Sequence, residues 1–412
     1  MEILMAILYC FHQMFANLPF VSKTLTGNLD FFYALGIIGV LFVIFKRKRD
    51  ISLLIICALP IVIYGIFQGM IIDNLDMQKL MVNISKIAIC VSLMILVSRK
   101  MKDFKLKKFI DYVCRIYLIL TPIAMIFMSN DYLWRLHDTI NKYSLVRLNL
   151  FYIEPSELGF HLSFIIIILM YLIIKEKVRK ARFKYIIYMI DCIILLVLSG
   201  AYGSSIMLIG TITFISFVVI LAKMNFKNIL VGYGLIIVFT IITILFVVTK
   251  SSMFLRTVDT LDGKDSSNSY RVNVTQEFTS TAVTNTNGIG VGLGNLNTDN
   301  TRKIFKSTGM TAVVAASYPY FIAESGVFGI VYTVLLLTLL IINVCLKKNM
   351  LLANLLLFSF LYQIYGGYFT NPVNWIIYGM ILSKWKPDQI EQENNINDIS
   401  EGKSLISQLR RR

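Results

Sequence analysis

An all-α, polytopic integral membrane fold with one large outer loop is the class this sequence predicts, on three observations. The chain of 412 residues is 57% hydrophobic and only 16% charged, with a mean hydropathy of +0.70, so its main solvent is hydrocarbon. Apolar runs close to the ~20 residues that cross a bilayer recur along it. The cations behind the net charge of +16 cluster in short segments between those runs, the pattern of membrane insertion rather than of nucleic-acid binding.

Taken in order, the runs fall near 2 to 21, 30 to 45, 51 to 72, 81 to 98, 109 to 128, 158 to 174, 185 to 201, 204 to 222, 228 to 249, 325 to 345, 350 to 366 and 371 to 385. That is about twelve transmembrane helices, the first and last being the weakest. The N-terminal run carries His12, Gln13 and Asn17 and has no basic leader or small-residue cleavage site, so it reads as a retained helix. Lys and Arg alternate to one side: KRKR at 46 to 49, RKMKDFKLKK at 99 to 108, KEKVRKARFK at 175 to 184, Lys223 and Lys227, Lys347 and Lys348, then the tail from Lys384. That side holds 26 of the 40 cations and the opposite loops hold 12, which predicts both termini on the cytoplasmic side. The six cysteines all lie in apolar runs at irregular spacing, so neither a disulfide frame nor a zinc site is indicated.

The chain therefore divides into helices one to five over 1–128, an outer loop over 129–157, helices six to nine over 158–249, a large outer loop with a candidate re-entrant helix over 250–324, helices ten to twelve over 325–385, and a polar tail over 386–412. Two outer segments, 129 to 157 and 250 to 312, are too long to be simple turns, and long loops in a compact architecture are usually functional or disordered.

Three stretches carry candidate chemistry. RLNLFYIEPSELGFH, 147 to 161, sets Arg147, Glu154 and Glu157 at the mouth of an uncharged run. Pro155 and the acids suit a helix start by themselves; Arg147 upstream and His161 one turn inside are not explained that way. SNSYRVNVTQEFTSTAVTNTNGIGVGLGNLNTD, 267 to 299, offers Tyr270 and Arg271 on a short helix and then glycines at 288, 290, 292 and 294. Those glycines suit either a backbone that approaches an anion or sugar, or a loop hinge. SYPYFIAESGVFG, 317 to 329, places Glu324 beside Tyr318 and Tyr320, whose rings also suit an interface belt. Lys86 and Arg115 lie near span ends, where both can snorkel; Lys86 can instead line an anionic lipid path.

In this order, RLNLFYIEPSELG before a middle span, YR then GIGVGLG in a large loop, and AESGVFG opening a late span resemble the bacterial O-antigen and capsular polysaccharide polymerases of the Wzy type. The resemblance covers about residues 130 to 345, and the first four spans by hydropathy alone. It implies a glycosyltransferase C-like membrane enzyme of the bacterial inner membrane. That enzyme moves a growing glycan from undecaprenyl pyrophosphate to the non-reducing end of another lipid-linked repeat unit, with no nucleotide sugar, cofactor or metal. Its implied partners are the lipid-linked oligosaccharide, membrane lipid and a chain-length regulator protein, and not nucleic acid. The related O-antigen ligases carry a histidine shortly before the late AE-x-G segment, and here the only histidines are His12, His137 and His161. Charge building on a departing pyrophosphate calls for a fixed cation, for which Arg147 and Arg271 are the candidates. An acceptor hydroxyl calls for a base, for which Glu154 ranks first, ahead of Glu157 and Glu324. Tyr270, Gly288, Gly290, Gly292, Glu157, Glu324 and Lys86 are the candidate substrate contacts. A flippase for the same lipid-linked unit is the competing reading; such proteins are expected to have short loops, unlike 250 to 312.

Overall fold

The computed structural model describes residues 1–14, 30–46, 48–135, 146–222, 258–259, 262, 264, 270–296, 298, 301 and 316–385. Within them the chain is helical apart from turns and one two-stranded ribbon. The helices are α1 (Glu2–Phe11), α2 (Phe31–Lys46), α3 (Lys48–Ile71), α4 (Met77–Lys100), α5 (Leu106–Ile126), α6 (Pro155–Lys175), α7 (Arg179–Ser199), α8 (Tyr202–Ala222), α9 (Thr275–Asn285), α10 (Ser317–Lys347), α11 (Met350–Tyr365) and α12 (Pro372–Leu382). The ribbon pairs β1 (Trp134–Arg135) with β2 (Arg147–Leu148). A helix stands at each expected run except 228 to 249, which lies outside the described residues. Five of the helices are long and apolar enough to cross a membrane, and the chain is an all-α protein built for a membrane.

The helix ends are specified locally. Asp76 accepts from the Lys79 amide at the start of α4, Asn349 from Leu352 at the start of α11, and Asn371 from Val373 at the start of α12, where Pro372 has no N–H left to satisfy. Gly200 closes α7 at φ +56°, a left-handed cap. α10 is interrupted at Gly326, whose φ of 60° and ψ of −141° are not helical.

α6 is the central helix: 78% of its most apolar window is buried, against 22% for α3 and for α10. It packs on α7, α8 and α11, while α4 packs on α2, α3 and α12. Large apolar side chains such as Ile63, Phe45, Leu335 and Phe217 face outward, where hydrocarbon replaces water as the solvent. At one end of the bundle Lys107 reaches Glu176 at 3.0 Å, and the Lys347 ammonium donates to the carbonyls of Ile381 and Ser383. The opposite end gathers the start of α6, the α7–α8 turn and the end of α11, and with them most of the candidate residues.

Candidate functional site

The first turns of α6 carry Glu157 and His161, spaced i and i+4 and so on one face. Glu157 is 8% exposed, and its Oε1 accepts from Gln13 Nε2 at 2.7 Å and from the Tyr368 hydroxyl at 3.1 Å. Gln13 is itself fixed, because its Oε1 accepts from the Ile153 amide at 3.0 Å. Its amide nitrogen also lies 3.5 Å from Asp30 Oδ2, so one side chain bridges two buried carboxylates. Asp30 accepts further from the Phe32 amide at 2.8 Å and meets His12 Nδ1 at 3.0 Å. The wall of this network comes from the segment after α11, whose Thr370 carbonyl accepts from Tyr33 and from the Cys90 thiol. Lys86, half-buried on α4, sits one turn from Cys90.

Arg271 lies in a π-helical turn, Tyr270–Val274, that leads into α9. Its guanidinium stacks 5.4 Å from the centre of the Tyr365 ring and donates to the Tyr365 carbonyl at 3.3 Å. It is half-buried and has no carboxylate partner among the described residues. Gly366 permits this approach, since a Cβ there would lie 3.0 Å from Arg271 Nη1. Arg271 thus lies at the C-terminal end of α11, and Tyr368, which donates to Glu157, follows that end by three residues. Glu154, at the N-cap of α6, is exposed and accepts from the Ser156 hydroxyl at 3.0 Å.

Arg147 holds the neighbouring turn. Its Nε donates to Ser199 O at 3.0 Å and its Nη2 to Gly200 O at 3.2 Å, so the cation sits on the carbonyl end of α7. Sequence reasoning passed over Arg135, which the ribbon pairs directly with Arg147. Opposed residues in such a pair share a face, which places two like charges together. The loop joining them, 136 to 145, with His137, lies outside the described residues.

Glu324 and the glycines form a second locus, separated from Arg271 by α9, a helix roughly 16 Å long. Glu324 is 1% exposed; its carboxylate accepts from Asn83 Nδ2 at 3.0 Å, from the Leu296 amide at 3.3 Å, and from the Gly294 amide and the Tyr320 hydroxyl. The glycine loop lies across the break in α10. Val291 N donates to Ala323 O and Gly292 N to Glu324 O, both at 3.0 Å, and Val327 N returns a bond to Gly288 O at 2.9 Å. Gln68 of α3 closes the joint, donating to Ile289 O and Glu324 O and accepting from Leu293 N. Gly288 N, Ile289 N and Gly290 N also donate to protein oxygens. The amides that the sequence reading offered to an anion are thus engaged within the protein, and these glycines let two backbones meet. Gly290 shows this best: at φ +82° it lies against Glu324 and Gly326, and a Cβ would fall 2.5 Å from the Glu324 carbonyl oxygen. A small cavity of about 230 Å³ opens beside the loop, lined in part by Asp73, Asn287 and Asn295.

Among the described residues no group of three His, Cys, Asp or Glu side chains is placed to hold a metal. Fold and site together define an all-α membrane protein with buried carboxylates and, at one end of its bundle, an arginine that has no carboxylate partner among the described residues. No family model matches the chain, and no curated protein is similar to it.

Proposed function

We propose that this chain is a membrane-embedded glycosyltransferase, an oligosaccharide repeat-unit polymerase that takes a growing glycan from undecaprenyl pyrophosphate. The observation that carries the reading is Arg271: a half-buried guanidinium with no carboxylate partner among the described residues, stacked on Tyr365 at the end of α11, close in sequence to the Tyr368 that bonds Glu157. Breaking the bond to the anomeric carbon develops negative charge on pyrophosphate, and a fixed cation there acts most strongly in the transition state. Arg147, with Arg135 beside it, extends the positive surface on the α7–α8 side. For the acceptor hydroxyl, Glu157 ranks ahead of Glu154, because Gln13 and Tyr368 hold its carboxylate in one orientation.

In this reading the Arg271 end of the bundle faces outward, and the end bearing Lys107 and Lys347 faces the cytoplasm, in line with the Lys and Arg asymmetry of the loops. About twelve spans, cytoplasmic termini and a bacterial inner-membrane location belong to the same proposal. The engaged glycine loop is then the frame that fixes α9 and the Arg271 turn beside the bundle. The test is the electrophoretic profile of surface glycan from a strain lacking only this gene, with and without complementation. A ladder that collapses to a single repeat and returns on complementation supports the reading. Complete loss of surface repeats supports translocation instead, and an unchanged ladder removes the polymerase assignment.

A further inference from the structure

The cluster around His12 contains more charge than the site just described uses. Asp30 accepts from the Phe32 amide and Gln13 and meets His12; Glu157 accepts from Gln13 and Tyr368. Both carboxylates are thus surrounded by donors, the environment of an anion. Both are buried, and one amide bridges them. Two buried anions that share a site repel each other unless a cation compensates one of them. Lys86 of α4, one turn from Cys90, forms no ion pair or hydrogen bond with either carboxylate. The other ionisable groups facing the cluster are phenols and thiols, uncharged near neutrality: Tyr9 and Cys10 of α1, Tyr117 of α5, Tyr152 before α6, and Tyr33 and Tyr368 beside the carboxylates. Among the described residues, His12 is the side chain in contact with a carboxylate here that can supply positive charge.

Its surroundings suit that charge. The His12 ring is enclosed by Phe32 at 4.6 Å, by Tyr152 edge-on at 5.4 Å, and by His161, stacked at 4.8 Å and 27°. Aromatic faces stabilise a desolvated cation. His161 is 0% exposed and, among the described residues, neither of its ring nitrogens has a hydrogen-bond partner, nor has His12 Nε2. Two stacked imidazoles cannot both be charged at this distance without mutual repulsion. His161, enclosed and with no carboxylate in contact, is the neutral wall; His12, on Asp30, is the cation.

We propose that His12 is a positioning residue that carries the proton compensating Asp30, which leaves Glu157 as the uncompensated carboxylate among the described residues of the cluster. That Glu157 then accepts the proton of a substrate hydroxyl rests on the glycosyltransferase reading: the O–H bond breaks, the proton passes to the carboxylate, and the oxygen attacks the anomeric carbon as pyrophosphate leaves. The charge arrangement itself does not depend on that reading.

The sequence has three histidines, His12, His137 and His161, so ring-15N-labelled full-length protein in nanodiscs gives three sets of signals, assigned with His137→Gln and His161→Phe. At pH 7 His12 is expected to show two protonated ring nitrogens and His161 one. In Asp30→Asn the His12 signal should convert to the neutral form, whereas in His161→Phe, which keeps an aromatic wall and removes two unpartnered nitrogens, it should stay charged. A neutral His12 in the unmodified protein, or a His12 that stays charged in Asp30→Asn, overturns the proposal even if glycan elongation is confirmed. In an elongation assay Glu157→Gln should lower kcat by about 100-fold and His12→Gln by about 10-fold, with KM little changed. Absence of elongation by the unmodified protein would remove the glycosyltransferase reading and leave the 15N result to decide the charge arrangement.

Discussion

Replacing Gly290 by alanine tests whether the glycine loop is a packing device. At φ +82° an L side chain is strained, by about 1–2 kcal/mol in the left-handed region. The added methyl also falls 2.5 Å from both the Glu324 carbonyl oxygen and the Gly326 amide nitrogen, backbone atoms that no rotamer change can move aside. Overpacking of that kind costs about 1–3 kcal/mol. Together the loop should be destabilised by about 2–5 kcal/mol relative to its docked state. At 1.4 kcal/mol per tenfold, its opening becomes roughly 30- to 3,000-fold more frequent. Hydrogen exchange reads this directly, through the amides of Val291, Gly292 and Leu293, which donate to Ala323, Glu324 and Gln68. Gly210→Ala is the control: Gly210 lies inside α8 with nothing within 4 Å of the added methyl, so exchange there should slow or stay the same. Unchanged protection of Val291 to Leu293 in Gly290→Ala would refute the docking argument, since both the strain and the overlap follow from the same placement.

Further outcomes follow from the same structure. Gln68→Leu should cost about 1–3 kcal/mol, because the Leu293 amide loses its acceptor while Ile289 O keeps Tyr64 and Glu324 O keeps Gly292; faster exchange confined to the glycine loop checks this. Burial pushes the Glu176 carboxyl up, but Lys107 at 3.0 Å and the amides of Val178 and Lys177 outweigh it and hold the group below its ordinary value. A depressed carboxylate contributes stability above its unfolded pKa and loses it as pH falls through the folded one. Lys107→Met should therefore lower the thermal midpoint at pH 7 and make progressively less difference on acidification below about pH 4.5; an equal loss at pH 7 and pH 3 would count against the ion pair. Arg271→Lys keeps the charge but loses the planar stack on Tyr365 and the bidentate fork, so elongation should fall at least about tenfold with normal membrane insertion.

Much of the helical frame was legible because lipid makes it so. A chain in hydrocarbon must satisfy its backbone internally, so long apolar runs have few alternatives to helix, and α3 to α6 match their runs to within a few residues. Glu154, Glu157 and Glu324 were visible for the same reason, as charge placed at the mouths of apolar spans, whereas Arg271 stood out in the large loop through its YR segment and the need for a cation. Their partners were not. Gln68 is a single amide inside IYGIFQGM, and neither its spacing nor its neighbours says that it closes a loop more than 200 positions later. Asp30, at the start of the second apolar run, was not singled out, and only the fold brings it to His12 and Gln13. The glycines gave a correct local signal, a backbone that must come close to something, but not what it approaches. That partner proved to be the helix break at Gly326.

The two donors on Glu157 are far apart in the chain: Gln13 precedes it by 144 residues and Tyr368 follows it by 211. During synthesis α6 therefore enters the bilayer with one donor already in place and the other not yet made. Until α11 has inserted and the segment behind it has folded back, the buried carboxylate remains incompletely solvated by protein. Completion of the polar centre is thus a late event in biogenesis, and it requires the first helix, the middle helix and the last pair to be present together. A chain stopped before residue 366 would hold α6 and its Glu157 without the Tyr368 donor, a mark by which membrane quality control could tell an unfinished copy from a finished one.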